Sequence, residues 1–156
     1  MRRDILIIAM AMAQVMSAQA QSRSERREQA IRESEKPKDL KGGTKVSIKL
    51  AYVKAYDTVL NALKRADYTI ETASQEVGQI VTTLVVEGGW RQKGRRVIVT
   101  LVKEKDGTST LKCVATLQTR FKALQTEPWG EPSLDEDETR KVAGLLTDAL
   151  KDSRSK

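Results

Sequence analysis

Between Tyr52 and Ala66 apolar residues recur at steps of three and four. Tyr52, Tyr56, Val59, Leu60 and Leu63 share one side, and Val53 and Ala66 widen the stripe. Lys54, Asp57, Asn61, Lys64 and Arg65 fall mostly opposite. This spacing matches a 3.6-residue period and predicts an amphipathic helix. Such a helix cannot bury its stripe alone and needs a sheet to lie on. The flanking segments have the period of two that strands require. Thr44, Val46, Ile48 and Leu50 alternate with polar residues, as do Tyr68, Ile70 and Thr72. Residues 80–86 and 95–105 read as a third and a fourth strand, and 109–121 as a long fifth one. Leu111, Cys113, Ala115, Leu117 and Phe121 line one face of the fifth strand. Turns are expected at Gln75–Gly78, at Gly88-Gly89 and at Asp106-Gly107, the last a strong hairpin signal. After Pro128, Trp129, Gly130 and Pro132, a second helix is expected with Ser133 as its cap and Glu136 completing a capping box. Its buried stripe is Leu134, Val142, Leu145, Leu146 and Ala149.

These elements predict an α+β domain over residues 44–151. A largely antiparallel five-stranded sheet, in chain order β-α-β-β-β-β-α, carries both helices on one face and leaves the other half open. Residues 152–156 are a short tail.

The chain begins differently. Arg2 and Arg3 precede the apolar run Ile5–Val15, and Ala18-Gln19-Ala20 follows as a small-x-small site. This pattern predicts a secretory signal peptide over residues 1–20, cut after Ala20. The run is short for a bilayer, which takes about 20 apolar residues; an uncleaved anchor is the other reading. Export points to a periplasmic or secreted protein and argues against nucleic acid as a partner. Residues 21–43 hold only Ile31 and Leu40 as large apolar side chains, and Pro37 and Gly42-Gly43 interrupt them. They read as a polar, mobile linker, with a partner-binding arm as the alternative.

Composition narrows the chemistry. Histidine is absent, which removes His-based triads and most zinc sites. The one cysteine, Cys113, cannot form an internal disulfide and falls on an apolar strand face, so a buried, inert thiol is expected. The carboxylates Asp135–Glu138 lack the spacing of a calcium loop and suit a helix start. No catalytic constellation, metal site or cofactor motif is present, and no enzyme activity is expected. The charge of +7 favours anionic partners, including peripheral contact with an anionic membrane surface. Its densest cluster is Trp90, Arg91, Lys93, Arg95 and Arg96, read as a basic loop at a hairpin tip.

Lys54-Ala55-Tyr56-Asp57-Thr58-Val59-Leu60-Asn61-Ala62-Leu63, followed by Tyr68-Thr69-Ile70 and Gly78-Gln79-Ile80, forms a pattern that resembles exported bacterial domains of the BamC-like family. Arg91 and the Val97-Ile98-Val99 strand are similar to the continuation of those domains. The similarity extends over roughly residues 44–150. It implies a helix-grip-like α+β domain acting in the cell envelope without catalysis. BamC-like proteins usually carry a lipidated cysteine directly after the signal and usually repeat the domain; here the one cysteine is Cys113, far from the apolar run, and the pattern occurs once.

The expectation is therefore a non-enzymatic periplasmic module that binds another envelope protein, with a link to outer-membrane protein assembly. Contact would use an uncovered sheet face or strand edge through Trp90, Arg91, Lys93, Arg95 and Arg96. The alternative is a carrier of a small apolar ligand or lipid, in a cavity lined by Tyr52, Tyr56, Val97 and Leu117.

Overall fold

The computed structural model describes Arg23 and residues 25–38, 40–121 and 127–154. The apolar run Ile5–Val15 and the cleavage site after Ala20 lie outside the described residues. Residues 25–35 form helix α1. Strand β1 (Thr44–Ile48), helix α2 (Tyr52–Arg65) and strands β2 (Ile70–Ser74), β3 (Gln79–Thr82) and β4 (Val85–Glu87) follow. Then come two long strands, β5 (Arg91–Lys103) and β6 (Ser109–Phe121), the two-residue strand β7 (Ser133–Leu134) and helix α3 (Glu136–Asp152). The result is an α+β fold on a wholly antiparallel sheet, ordered β1-β6-β5-β3-β2, with β4 also on β5 and β7 on β6.

The β5–β6 hairpin is the spine. Its register runs from Arg91↔Phe121 to Lys103↔Ser109 without a break. The Asp106-Gly107 turn closes it, with Asp106 Oδ1 accepting from the Thr108 amide at 3.0 Å. Helices α2 and α3 pack on the face carrying Val97, Val99, Leu101, Leu111, Cys113 and Ala115. Ala55, Tyr56, Val59 and Leu63 meet this face from α2, and Val142, Ala143, Leu146 and Leu150 from α3. Two stripe assignments shift. Val53 turns to solvent, while Leu150 replaces Leu134, which lies in β7 ahead of the helix.

Helix α2 ends in a Schellman arrangement. The Tyr68 amide bonds the Leu63 carbonyl and the Asp67 amide bonds Lys64, with Asp67 in the left-handed region at φ 62°. That geometry turns Tyr68 back under the helix and onto the core.

Both edges of the spine change partners at one level. On β5, β3 stops after pairing Val81 with Ile98, and β4 resumes at Val85↔Arg95. The Val97 amide, left between them, donates to Thr82 Oγ1 at 2.9 Å. The expected single strand over 80–86 is thus two strands with a step at Thr83-Leu84. On β6, β1 stops at Thr44↔Cys113 and β7 begins at Leu134↔Thr116. In the gap the Ala115 amide donates to Thr139 Oγ1 and the Ala115 carbonyl accepts from the Asp135 amide, both at 2.9 Å. Buried backbone groups must be paired, and two threonine hydroxyls do this where the ladders break.

The cap of α3 also differs from expectation. Ser133 is a strand residue whose hydroxyl bonds the Leu117 carbonyl. Asp135 is the cap, accepting from the Glu138 amide at 3.1 Å. The two-residue shift follows from β7: pairing with β6 holds Ser133 and Leu134 extended, so the helix cannot begin before them.

The segment expected to be a free linker is attached to the sheet. The Ser34, Glu35 and Leu40 carbonyls accept from Gln118 Nε2, Arg96 and Lys112 Nζ respectively, and Ser34 Oγ accepts from the Trp129 amide at 3.0 Å. Helix carbonyls in a last turn lack intrahelical partners, and polar side chains of the sheet supply them. The face expected to be half open is consequently occupied near its centre, where Arg96, Thr116 and Gln118 are buried.

Candidate interaction site

Beyond the level of Val97 and Ala115 the sheet continues as an arm. It consists of β4, the turn through Gly88, Gly89 and Trp90, the first half of β5 and the last half of β6. The stretch expected as a basic loop is this first half of β5. Alternation therefore sends Arg91, Lys93 and Arg95 to the helix side of the sheet and Arg96 to the side of α1.

The five residues of the expected basic cluster separate accordingly. Trp90 is 74% exposed at the turn. Arg91 is exposed, with its guanidinium 5.9 Å from the centre of the Phe121 ring, and Lys93 is exposed one pleat further on. Arg95 is held internally, bonding Glu87 at 3.0 Å and Asp135 at 3.1 Å. Arg96 is only 6% exposed, bonds the Glu35 carbonyl and pairs with Glu71 at 2.7 Å. The cluster is thus not one cationic tip: three members face solvent and two brace the fold.

What joins the exposed three was not expected. Val85 and Val86 are exposed in β4, and Phe121 is exposed at the end of β6. All three residues of β4 are exposed, and among the described residues no strand pairs with its outer edge. From Arg91 to Arg95 the arm presents about 13 Å of strand, at 3.3 Å per residue. No local signal marks these valines as exposed, since Val-Val in a strand ordinarily reads as core.

Beside the arm lies a polar cleft of about 290 Å³ bordered by Tyr68, Thr82, Arg95, Glu138 and Lys141. The Tyr68 hydroxyl donates to Glu138 Oε1 at 2.5 Å. Burial and this carboxylate together hold the phenol well above its ordinary value, so it stays protonated. Glu138 also pairs with Lys141 at 3.3 Å. The Arg95–Asp135 ion pair ties β5 to the start of α3, and the Tyr68–Glu138 hydrogen bond ties the segment after α2 to the first turn of α3.

The residues expected to line a ligand cavity do not converge. The Tyr52 hydroxyl bonds the Gln75 carbonyl at 2.6 Å, and Tyr56 reaches Gln79 at 3.5 Å, near one end of the sheet. Gln79 pairs with Thr100, whereas Leu117 pairs with Arg95. Five strand positions, about 17 Å, separate these levels, and Val97 between them is packed in the core. Cys113 is fully buried, and burial followed by the nearby Glu138 charge pushes its thiol up to about 12. Among the described residues no group of three or more His, Cys, Asp or Glu side chains is placed to hold a metal ion. No helix among them is long and apolar enough to cross a membrane.

No protein-family model matches the chain, and no curated protein matches it. Among solved structures it is similar to the crystal structure of a DUF4468 family protein from Bacteroides ovatus ATCC 8483. The identity is 12% and the TM-score 0.33, over 76% of this chain and 84% of that one.

Proposed function

We propose that this protein is a non-catalytic interaction module of the bacterial cell envelope, in the manner of BamC-like domains, and that it captures an extended, acidic segment of a partner along β4. One observation carries this: a three-residue edge strand, exposed throughout and, among the described residues, unpaired on its outer side, with exposed Trp90 in the turn that follows it. An exposed strand edge accepts main-chain hydrogen bonds from an added strand. Arg91 and Lys93 lie beside it and favour carboxylates in the incoming segment. Trp90 supplies the largest apolar contact. At 74% exposure, a side chain of roughly 200 Å² gives up about 150 Å², or about 4 kcal/mol before the costs of association. A carrier role has less support, because the residues it would use are spread along the sheet. A link to outer-membrane protein assembly rests on the sequence resemblance alone.

The test is site-specific photocrosslinking in the native envelope, with the probe at Val86 or Trp90 and a control probe at exposed Gly144 on α3. The expected result is a discrete adduct from the first two positions, lost when Arg91 and Lys93 are both changed to Glu. Equal adducts from all three positions, or adducts indifferent to the charge reversal, would remove the reading.

A further inference from the structure

A second cleft lies on the opposite face of the sheet, where α1 meets β4 and the end of β6. Its volume is about 450 Å³, and Arg32, Lys36, Glu71, Arg96, Arg120 and Trp129 are among its walls. Two of these side chains are more than nine-tenths buried, Arg96 at 6% and Trp129 at 5% exposure. Each keeps a buried N–H with no acceptor: Nε of Arg96 and Nε1 of Trp129. The terminal nitrogens of Arg96 are committed to the Glu35 carbonyl and Glu71, so its Nε is a separate, unused donor. Buried donors without partners are rare in folded proteins and call for an explanation. Here both belong to residues that line one cavity, with each N–H itself closed off from solvent while α1 is in place.

The charge of that cavity is consistent with a missing acceptor. Arg32, Lys36, Arg96 and Arg120 border it, against the carboxylates of Glu35 and Glu71; Lys36 is paired with Glu33 at 2.5 Å and Arg96 with Glu71, which leaves Arg32 and Arg120 as the excess charge. The Arg120 guanidinium stacks on the Trp129 ring at 4.3 Å and fixes the indole, with its own Nε on Gln92 Oε1 at 2.8 Å. A guanidinium Nε and an indole N–H accept nothing; each can only donate. Their complement is an acceptor oxygen, and the cations around them favour a negatively charged one.

We infer that this cleft binds a small oxyanion, the phosphate or carboxylate group of a ligand, with Arg96 Nε–H and Trp129 Nε1–H as donors once α1 moves aside and Arg32 and Arg120 as the surrounding charge. Helix α1 forms the outer wall and is lightly anchored. Of its residues 25–35 only Ile31 and Ser34 are even half-buried. A wall with so little buried surface opens at low cost and gives the anion its way in.

The test is calorimetric titration of the full chain with inorganic phosphate and, separately, with succinate at matched ionic strength. One-site saturation by phosphate assigns a phosphoryl ligand, and saturation by succinate a carboxylate one. Trp129→Phe keeps the ring and removes the donor. It should weaken binding about tenfold or more, the loss expected for a hydrogen bond to a charged group. Arg96→Lys should do likewise, and should it fail to fold the Trp129 variant decides alone. Gly144→Ala, on the exposed side of α3, should bind as the parent does. Absence of saturation by both anions up to millimolar concentration, or unchanged binding by Trp129→Phe, would overturn the inference.

Discussion

Replacing Gly78 with alanine tests how tightly the β2–β3 turn is locked against the β5–β6 spine. Gly78 has φ +71°, in the left-handed region, where an alanine costs roughly 1–2 kcal/mol. A Cβ built there would lie 2.2 Å from the Leu101 carbonyl oxygen and 2.7 Å from the Tyr52 hydroxyl. Neither neighbour is free to retreat. The Leu101 amide donates to the Gly78 carbonyl at 2.7 Å, and the Tyr52 hydroxyl is bonded to Gln75. Moving both sacrifices two hydrogen bonds, about 1 kcal/mol each. The sum is about 3–4 kcal/mol. Gly107 supplies the internal control: its φ is +81°, yet an added Cβ there meets nothing within 4 Å. Gly107→Ala should therefore cost only the backbone term, roughly 1–2 kcal/mol. Urea unfolding followed by far-ultraviolet circular dichroism gives both values, with the slope unchanged if the unfolded states are alike. In melting temperature the control should fall by several degrees and Gly78→Ala by at least twice as much. Equal losses at the two positions would refute the close approach and leave backbone conformation as the whole effect.

Asp135→Ala removes the cap of α3 together with an Arg95 partner and should cost about 1–2 kcal/mol, whereas Ser133→Ala should stay within about 0.5 kcal/mol; the reverse order in urea unfolding would restore Ser133 as the cap. Stability should fall as pH rises above about 9, because the unfolded chain releases the Cys113 and Tyr68 protons at their ordinary values while the fold retains them, Cys113 up to about 12. Tyr68→Phe should lose about 1–3 kcal/mol at neutral pH, through the bond to Glu138, and show a shallower alkaline decline in the urea midpoint; an unchanged slope would mean that Tyr68 does not carry it.

Much of the architecture is written locally. The stripe through Tyr56, Val59 and Leu63 can be buried only as a helix face, and it is buried on a sheet. The Asp106-Gly107 signal closes the hairpin it suggests, and Asp67 ends α2, because turn chemistry depends on the residues at the turn itself. The acidic start of α3 answers the helix dipole wherever the helix lies. Strand alternation alone puts Cys113 on the core face, and it is fully buried there.

The misplacements have a common origin in pairing between distant segments. Residues 91–96, expected as a basic loop, extend as strand, and the bare backbone of Gly94 makes room for Leu84, whose Cδ atoms would lie 3.1 Å from a Cβ. Once that segment is a strand, neighbouring arginines must point to opposite faces, and Arg95 and Arg96 leave the cationic cluster for partners 40 and 25 residues away. Ser133 lost its capping role to β7 in the same way. Polar residues 25–38 have no apolar stripe to announce a docking face, because α1 is held by hydrogen bonds from Arg96 and Gln118 to its last carbonyls. The pattern of side chains along the chain specifies which segments coil or extend, since that depends on neighbours three or four residues away. Which edge stays unpaired at β4, and which donors stay unmatched at Arg96 and Trp129, depends on where non-neighbouring strands stop. Those stopping points are set by the packing of the whole sheet, so both candidate sites emerge only in three dimensions.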